Sequence, residues 1–199
     1  MNLMEIANIV VGAVSLVSTL AIFIVVGLDF YKFQGKGGVK KEKKSIVDTA
    51  TMAAFFLVYY LVIRFRIGEI ATVFSPEVRI VMASIGCAII IYSCYINVIG
   101  RRYLGGNWAN HIRIYDDHEL VREGPYKMVR HPLYASLIWM FFGGAMVYAN
   151  YPALLLNLFI FMPFMYYRAK QEEEMLSSKF KQYDDYKSKV GMFFPKIRI

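Results

Sequence analysis

Hydrophobic residues in this chain come in long runs rather than in the spaced stripes of a water-facing helix. Ile6 to Phe30 is apolar except for Asn8, a few Ser/Thr and Asp29. At about 1.5 Å per residue such a run crosses a ~30 Å hydrocarbon core. Ile46 to Ile63 is a second run, ending at Arg64 and Arg66. Pro76 opens a third, from about Val78 to Ile99, which stops at Gly100-Arg101-Arg102. Leu133–Tyr148 and Tyr151–Tyr167 are two shorter runs separated by little more than Ala149-Asn150, which predicts a tight antiparallel hairpin. Pro152 suits the first turn of the second hairpin helix, and Pro163 is expected to kink it near its far end. After Arg168 the pattern turns amphipathic, with Met175, Leu176 and Phe180 apolar among charges. That predicts a helix lying on the membrane surface, closed by Gly191 and Pro195. The expected fold is therefore all-α: an integral membrane protein of five transmembrane helices with an interfacial loop and a C-terminal amphipathic helix.

The polar connections sharpen this picture. Lys32, Lys36, Lys40, Lys41, Lys43 and Lys44, with Gly35, Gly37 and Gly38 among them, read as a flexible basic loop. From Tyr103 to Arg130 the hydropathy falls. A connection of that length is functional or disordered, and its aromatics Tyr103, Trp108, Tyr115 and Tyr126 favour order at headgroup level. Ile6–Phe30 lacks a preceding basic region and a following small-residue cleavage site, so it reads as a span rather than a signal peptide. With the amino terminus outside, all Lys and Arg except Arg64, Arg66 and Arg79 fall inside, 20 of the 23. The positive-inside rule then places the carboxy terminus and every polar cluster on the cytoplasmic face.

Composition agrees. The 199 residues are 57% hydrophobic, room for a single domain over 1–199: a three-span anchor in 1–100 and a polar-cluster region with the helical hairpin in 101–199. The formal charge of +8 resides in short segments between apolar runs. Lipid headgroups account for it better than nucleic acid, whose recognition needs a soluble basic module. Cys87 and Cys94 lie in one apolar run and read as packing residues.

Two clusters carry candidate chemistry. Gly124-Pro125-Tyr126 reads as a turn. Pro132 suits the first turn of the fourth span, which puts Arg130 and His131 at that helix's amino-terminal end. Backbone donors and a guanidinium there could hold an anion or grip lipid phosphates. Arg168 stands one helical turn before Glu172 in Glu172-Glu173-Glu174. The two could simply pair, but three carboxylates beside an anionic surface call for an internal cation or a ligand. No spacing among His, Cys and acids resembles a closed metal site, and no metal is expected. Rossmann, Walker and nucleophile-elbow motifs are absent, so any nucleotide-like cofactor would sit in a non-Rossmann pocket.

Taken together, Gly124-Pro125-Tyr126, Arg130-His131-Pro132-Leu133-Tyr134, a hairpin, Arg168 with Glu172-Glu173, then Phe180, Tyr186 and Pro195 resemble the isoprenylcysteine carboxyl methyltransferase family, within a wider group that includes phospholipid methyltransferases. The resemblance runs from about Leu104 to Lys196, and Leu104-Gly105-Gly106-Asn107-Trp108 is similar to its prokaryotic branch. It implies methyl transfer from S-adenosylmethionine to the carboxylate of a lipidated, isoprenylcysteine-like acceptor. By the same resemblance, His118, Glu119, Leu120, Val121, Tyr126, His131, Pro132, Leu133, Tyr134 and Glu172 would bind the cofactor, and Arg168 would meet the acceptor carboxylate. Arg130 is a further candidate for orienting that carboxylate, on charge and position. An ionised carboxylate needs no general base, only alignment and water exclusion. The sequence departs from the family at Phe180-Lys181-Gln182-Tyr183, which lacks the usual glycine, and at Met192, where many relatives carry arginine. The alternatives are an N-methyltransferase for a phospholipid amine and an ene-reductase of the sterol-reductase type.

Overall fold

An apolar segment in a bilayer has no water to bond its backbone, and a helix satisfies every group within one segment. In the computed structural model, which describes residues 3–33, 39–43, 46–105, 112–115 and 120–196, the runs fold that way. The helices are α1 (Leu3–Phe33), α2 (Ile46–Arg64), α3 (Pro76–Leu104), α4 (Pro132–Val147), α5 (Tyr151–Leu156), α6 (Met162–Lys179) and α7 (Tyr183–Lys189). Among the described residues, Pro76–Leu104 and the continuous run Tyr151–Lys179 are long and apolar enough to cross a membrane. Shorter apolar helices are Ile9–Ile22, Ala50–Arg64 and Pro132–Val147. Large apolar side chains crowd the outward faces, with Val17 64% and Phe159 72% exposed. A water-facing surface does not carry apolar patches of that extent. The chain is a helical membrane protein.

Packing of α3 against α4 is set by two glycines. A Cβ on Gly86 would lie 2.7 Å from the Gly143 carbonyl oxygen, and one on Gly143 would lie 2.8 Å from that of Gly86. Small residues let the backbones touch, which is how apolar helices associate where burial from water gives no drive. Asn97, fully buried, then locks the pair by donating to Ser136 Oγ at 2.8 Å. The expected hairpin is present. Asn150 accepts from Ala153 N at 2.9 Å to cap α5 and donates to Ile67 O at 3.0 Å, tying the turn to the α2–α3 connection. Phe55, Tyr59, Phe141 and Phe161 form the aromatic core between α2, α4 and the end of the hairpin.

Pro163 has no N–H to offer and its ring crowds the preceding turn. The helix accommodates it by widening into a π turn over Asn157–Phe161, where Met162 N reaches back to Asn157 O. Asn157 also donates to Ile138 O at 3.0 Å, so the widened turn is pinned to α4.

Two features differ from the sequence expectation. No separate amphipathic helix starts after Arg168: Ala169 to Lys179 continues the last apolar helix without a break, because those residues are strong helix formers with no proline or glycine among them. The chain turns only at Phe180 and forms the short α7. Second, the basic loop and the interfacial segment contribute β1 (Val39–Lys43) and β2 (Ile112–Tyr115), an antiparallel ribbon with Glu42 opposite Arg113 and a bulge between Val39 and Lys41. The architecture is helical apart from this ribbon, and β2 contacts α6.

Candidate active site

The turn that precedes α4 is built around Gly124. Its φ of +56° and the Tyr103 ring, 2.4 Å from where a Cβ would sit, leave no room for a side chain. The turn delivers Arg130 and His131 to the start of α4, and main-chain bonds hold them there: Arg130 N donates to Gly191 O at 2.8 Å and His131 N to Met192 O at 3.1 Å. The carboxy-terminal tail is thereby stitched along the turn. Tyr186 adds a hydroxyl bond to the Tyr126 carbonyl at 2.6 Å.

On α6 the three consecutive glutamates point three ways, as 100° per residue requires. Glu174 faces out, Glu172 is 35% exposed and Glu173 is buried at 1%. Glu173 Oε1 accepts from Arg130 Nε at 2.8 Å, lies 2.7 Å from Arg130 Nη2 and 3.2 Å from His131 Nε2. Lys187 Nζ stands 3.3 Å from its other oxygen. Glu172 Oε2 approaches the opposite ring nitrogen of His131, Nδ1, at 3.6 Å, the range of an ion pair rather than a hydrogen bond. Burial disfavours a charged His131, but the two carboxylates, one at each ring nitrogen, outweigh it and raise the imidazole above its ordinary value. His131 stacks on Tyr134 at 5.6 Å and meets Phe193 edge-on at 6.3 Å.

Arg168 lies one turn before Glu172, 6% exposed. Its guanidinium carbon is 5.9 Å from the centre of the Tyr134 ring, and Nη1 is 3.0 Å from Met52 Sδ on α2. Burial, then the neighbouring Glu172 charge, pushes the Tyr126 phenol well above its ordinary value and keeps it a neutral donor. The site is an alternation of buried cations and carboxylates walled by tyrosines, with Glu172 the acid that keeps an open edge.

The structure brings Tyr126, Arg130, His131, Tyr134, Arg168 and Glu172 together. Pro132 and Leu133 turn the other way: both side chains face Gly100 of α3, since they follow His131 by one and two steps around the helix. Leu120 and Val121 are half-buried ahead of the turn. His118 and Glu119 lie outside the described residues.

Arg130 is engaged within the chain. Its guanidinium, 8% exposed, gives two N–H groups to Glu173 and bonds the carbonyls of Lys187 and Val190. Four of its five donors are taken within the chain, so the pair of parallel donors needed to orient an acceptor carboxylate is already engaged. Arg130 is a strut between turn, α6 and tail. The sequence analysis counted Glu173 in the acidic cluster without giving it a role of its own, and it did not name Lys187. The signal for Glu173 was the run of glutamates itself, of which only one can share the face of Arg168.

Comparisons follow the same region. The model of the isoprenylcysteine carboxyl methyltransferase family matches residues 83–178. The protein-S-isoprenylcysteine O-methyltransferase of Saccharomyces cerevisiae is 30% identical over 116 residues, 57% of this chain and 48% of the yeast protein. The nickel-cobalt-cadmium resistance protein NccN of Alcaligenes xylosoxydans xylosoxydans is 37% identical over 83 residues, 41% of this chain and 38% of NccN. The chain thus spans about half or less of the curated relatives it matches. The structure of a eukaryotic intramembrane Ras methyltransferase, isoprenylcysteine carboxyl methyltransferase, superposes with a TM-score of 0.60 at 22% identity, covering 85% of this chain and 61% of that one, a likeness of fold. The cluster of Arg130, His131, Arg168, Glu172 and Glu173 lies wholly inside the matched stretch, and over that stretch the resemblance to the isoprenylcysteine carboxyl methyltransferase family is established.

Proposed function

We propose that this protein is an S-adenosylmethionine-dependent methyltransferase that esterifies the carboxylate of a lipophilic, isoprenylcysteine-like acceptor at the cytoplasmic membrane face. One observation carries the reading: a buried guanidinium, Arg168, set beside the Tyr134 ring, and a half-open carboxylate, Glu172, stand one turn apart on α6. One anchor suits an anionic acceptor and the other a cationic donor.

The donor set fits S-adenosylmethionine. The cofactor supplies a methyl group on a positively charged sulfur. Glu172 would hold its ammonium or hydroxyl groups, and His131, Tyr126 and Tyr134 would wall the pocket. Arg168 orients the acceptor, because a planar guanidinium fixes both oxygens of a carboxylate in one plane. Its burial strengthens that hold by excluding water. The acceptor is already ionised, so none of these residues has to take a proton. What the chain contributes is alignment and a dry, charge-matched frame.

The test is label transfer from methyl-labelled S-adenosylmethionine to a farnesyl-cysteine analogue by the purified chain. Base-labile label, released as methanol, is the expected product. Base-stable label would instead point to an amine acceptor and overturn the esterification. Arg168→Lys should raise the acceptor KM and lower kcat together, with cofactor affinity unchanged.

A further inference from the structure

A cavity lies on the side of α4 away from the polar cluster. Pro132, Ala135, Ser136 and Trp139 follow one another at helical spacing and form one wall, while α3 from Ile85 to Ile96 forms the other. Tyr134 and Phe141, which carry the polar site and the aromatic core, are on the opposite face of α4. Arg168 reaches toward α2, not α3. The cavity is therefore separated from the acceptor anchor by the body of a helix.

Its dimensions are those of one lipid chain. Ile85 to Ile96 spans ~16 Å along the helix, close to the ~15 Å of one leaflet. The volume of about 530 Å³ holds ~18 methylenes if each takes roughly the ~30 Å³ share of a water molecule. The walls are almost wholly apolar, and Ser136 has its hydroxyl engaged by Asn97 and Leu133 O. Tyr92, Met128 and Trp139 leave the rim open on the outward side. At the end near Ile96, the cavity meets Pro125 and Met128, between which comes the exposed Lys127, and Pro195, which is followed by the exposed Lys196. Two cations at the mouth of a chain-length apolar slot match an anionic headgroup on an acyl chain.

We propose that this α3–α4 groove binds one acyl chain of an anionic bilayer phospholipid, at a site distinct from the acceptor's. Phe193 lines the groove and also packs edge-on against His131. A seated chain thus supports the same tail residue that backs the polar cluster.

The test uses Trp139 as the reporter. Of the two tryptophans, Trp108 is changed (Trp108→Phe) so that Trp139 alone fluoresces. The full chain is placed in nanodiscs containing equal mole fractions of chain-brominated phosphatidylglycerol or chain-brominated phosphatidylcholine. Phosphatidylglycerol is expected to quench at least twofold more, with saturation. Ala88→Phe, at an exposed lining position, and Lys127→Gln should each remove the excess, so the result does not hang on either variant folding. Equal quenching by both lipids, or an excess that survives both substitutions, overturns the proposal. So does an excess displaced by an equimolar farnesyl-cysteine analogue, which would assign the groove to the acceptor.

Discussion

Two neighbouring glutamates divide the work of the cluster. Glu173 is enclosed by Arg130, His131 and Lys187, so Glu173→Gln leaves buried cations without their counter-charge. The expected loss is about 3 kcal/mol of stability, read as an earlier thermal unfolding in detergent. Glu172→Gln, at the open edge, should cost less stability than Glu173→Gln, because it removes one partner of His131 rather than the counter-charge of Arg130 as well, while weakening S-adenosylmethionine binding in titration by about tenfold or more. His131 adds a pH dependence whose sign follows from linkage. Its folded-state value is raised, so its contribution is fully present below the unfolded value of about 6.5 and is lost as pH rises through the folded value. The gap in unfolding temperature between the parent and His131→Gln should therefore be wide at acidic pH and narrow at alkaline pH. A gap that widened with pH would mean that the imidazole is held neutral.

Helices are positioned here by small and polar residues rather than by apolar volume. Gly143 meets the backbone of Gly86, so Gly143→Val forces α3 and α4 apart. Overpacking of this kind costs about 1–3 kcal/mol and should lower the unfolding temperature more than Gly12→Val, at an open position on α1. The same logic explains why the helix lengths were only partly legible. Apolar periodicity marks where a segment leaves the hydrocarbon, near Tyr167, but says nothing about whether the helix stops there. Ala169–Lys179 continued because no residue breaks it, and the break fell at Phe180. The ribbon of Val39–Lys43 with Ile112–Tyr115 was invisible for another reason: each strand is short and charged, and only its distant partner gives it a place.

At the scale of the molecule, the α2–α3 connection and the hairpin turn meet at one end, through Ile67, Glu69, Ala149 and Asn150. The Arg130 turn, the end of α6 and α7 gather around the cluster. On charge bias, we propose that the first end lies outside and the second in the cytoplasm. Cysteines introduced at Arg66 and Lys189 in a background free of Cys87 and Cys94 should accordingly react with a membrane-impermeant maleimide from opposite sides; labelling of both from one side would refute the arrangement. Much of this was written in the chain: the apolar runs and their polar ends, the hairpin at Ala149-Asn150, and the pairing in prospect of the Arg130-His131 turn with Arg168 and its glutamates, because hydropathy and proline or glycine act locally. The division of roles was not. Whether Arg130 grips a ligand or the chain itself, which of three glutamates is buried, and that Pro132 and Leu133 face α3 depend on which side of each helix meets which neighbour. A few degrees of helix rotation decide those matters, and only the packed structure sets that rotation.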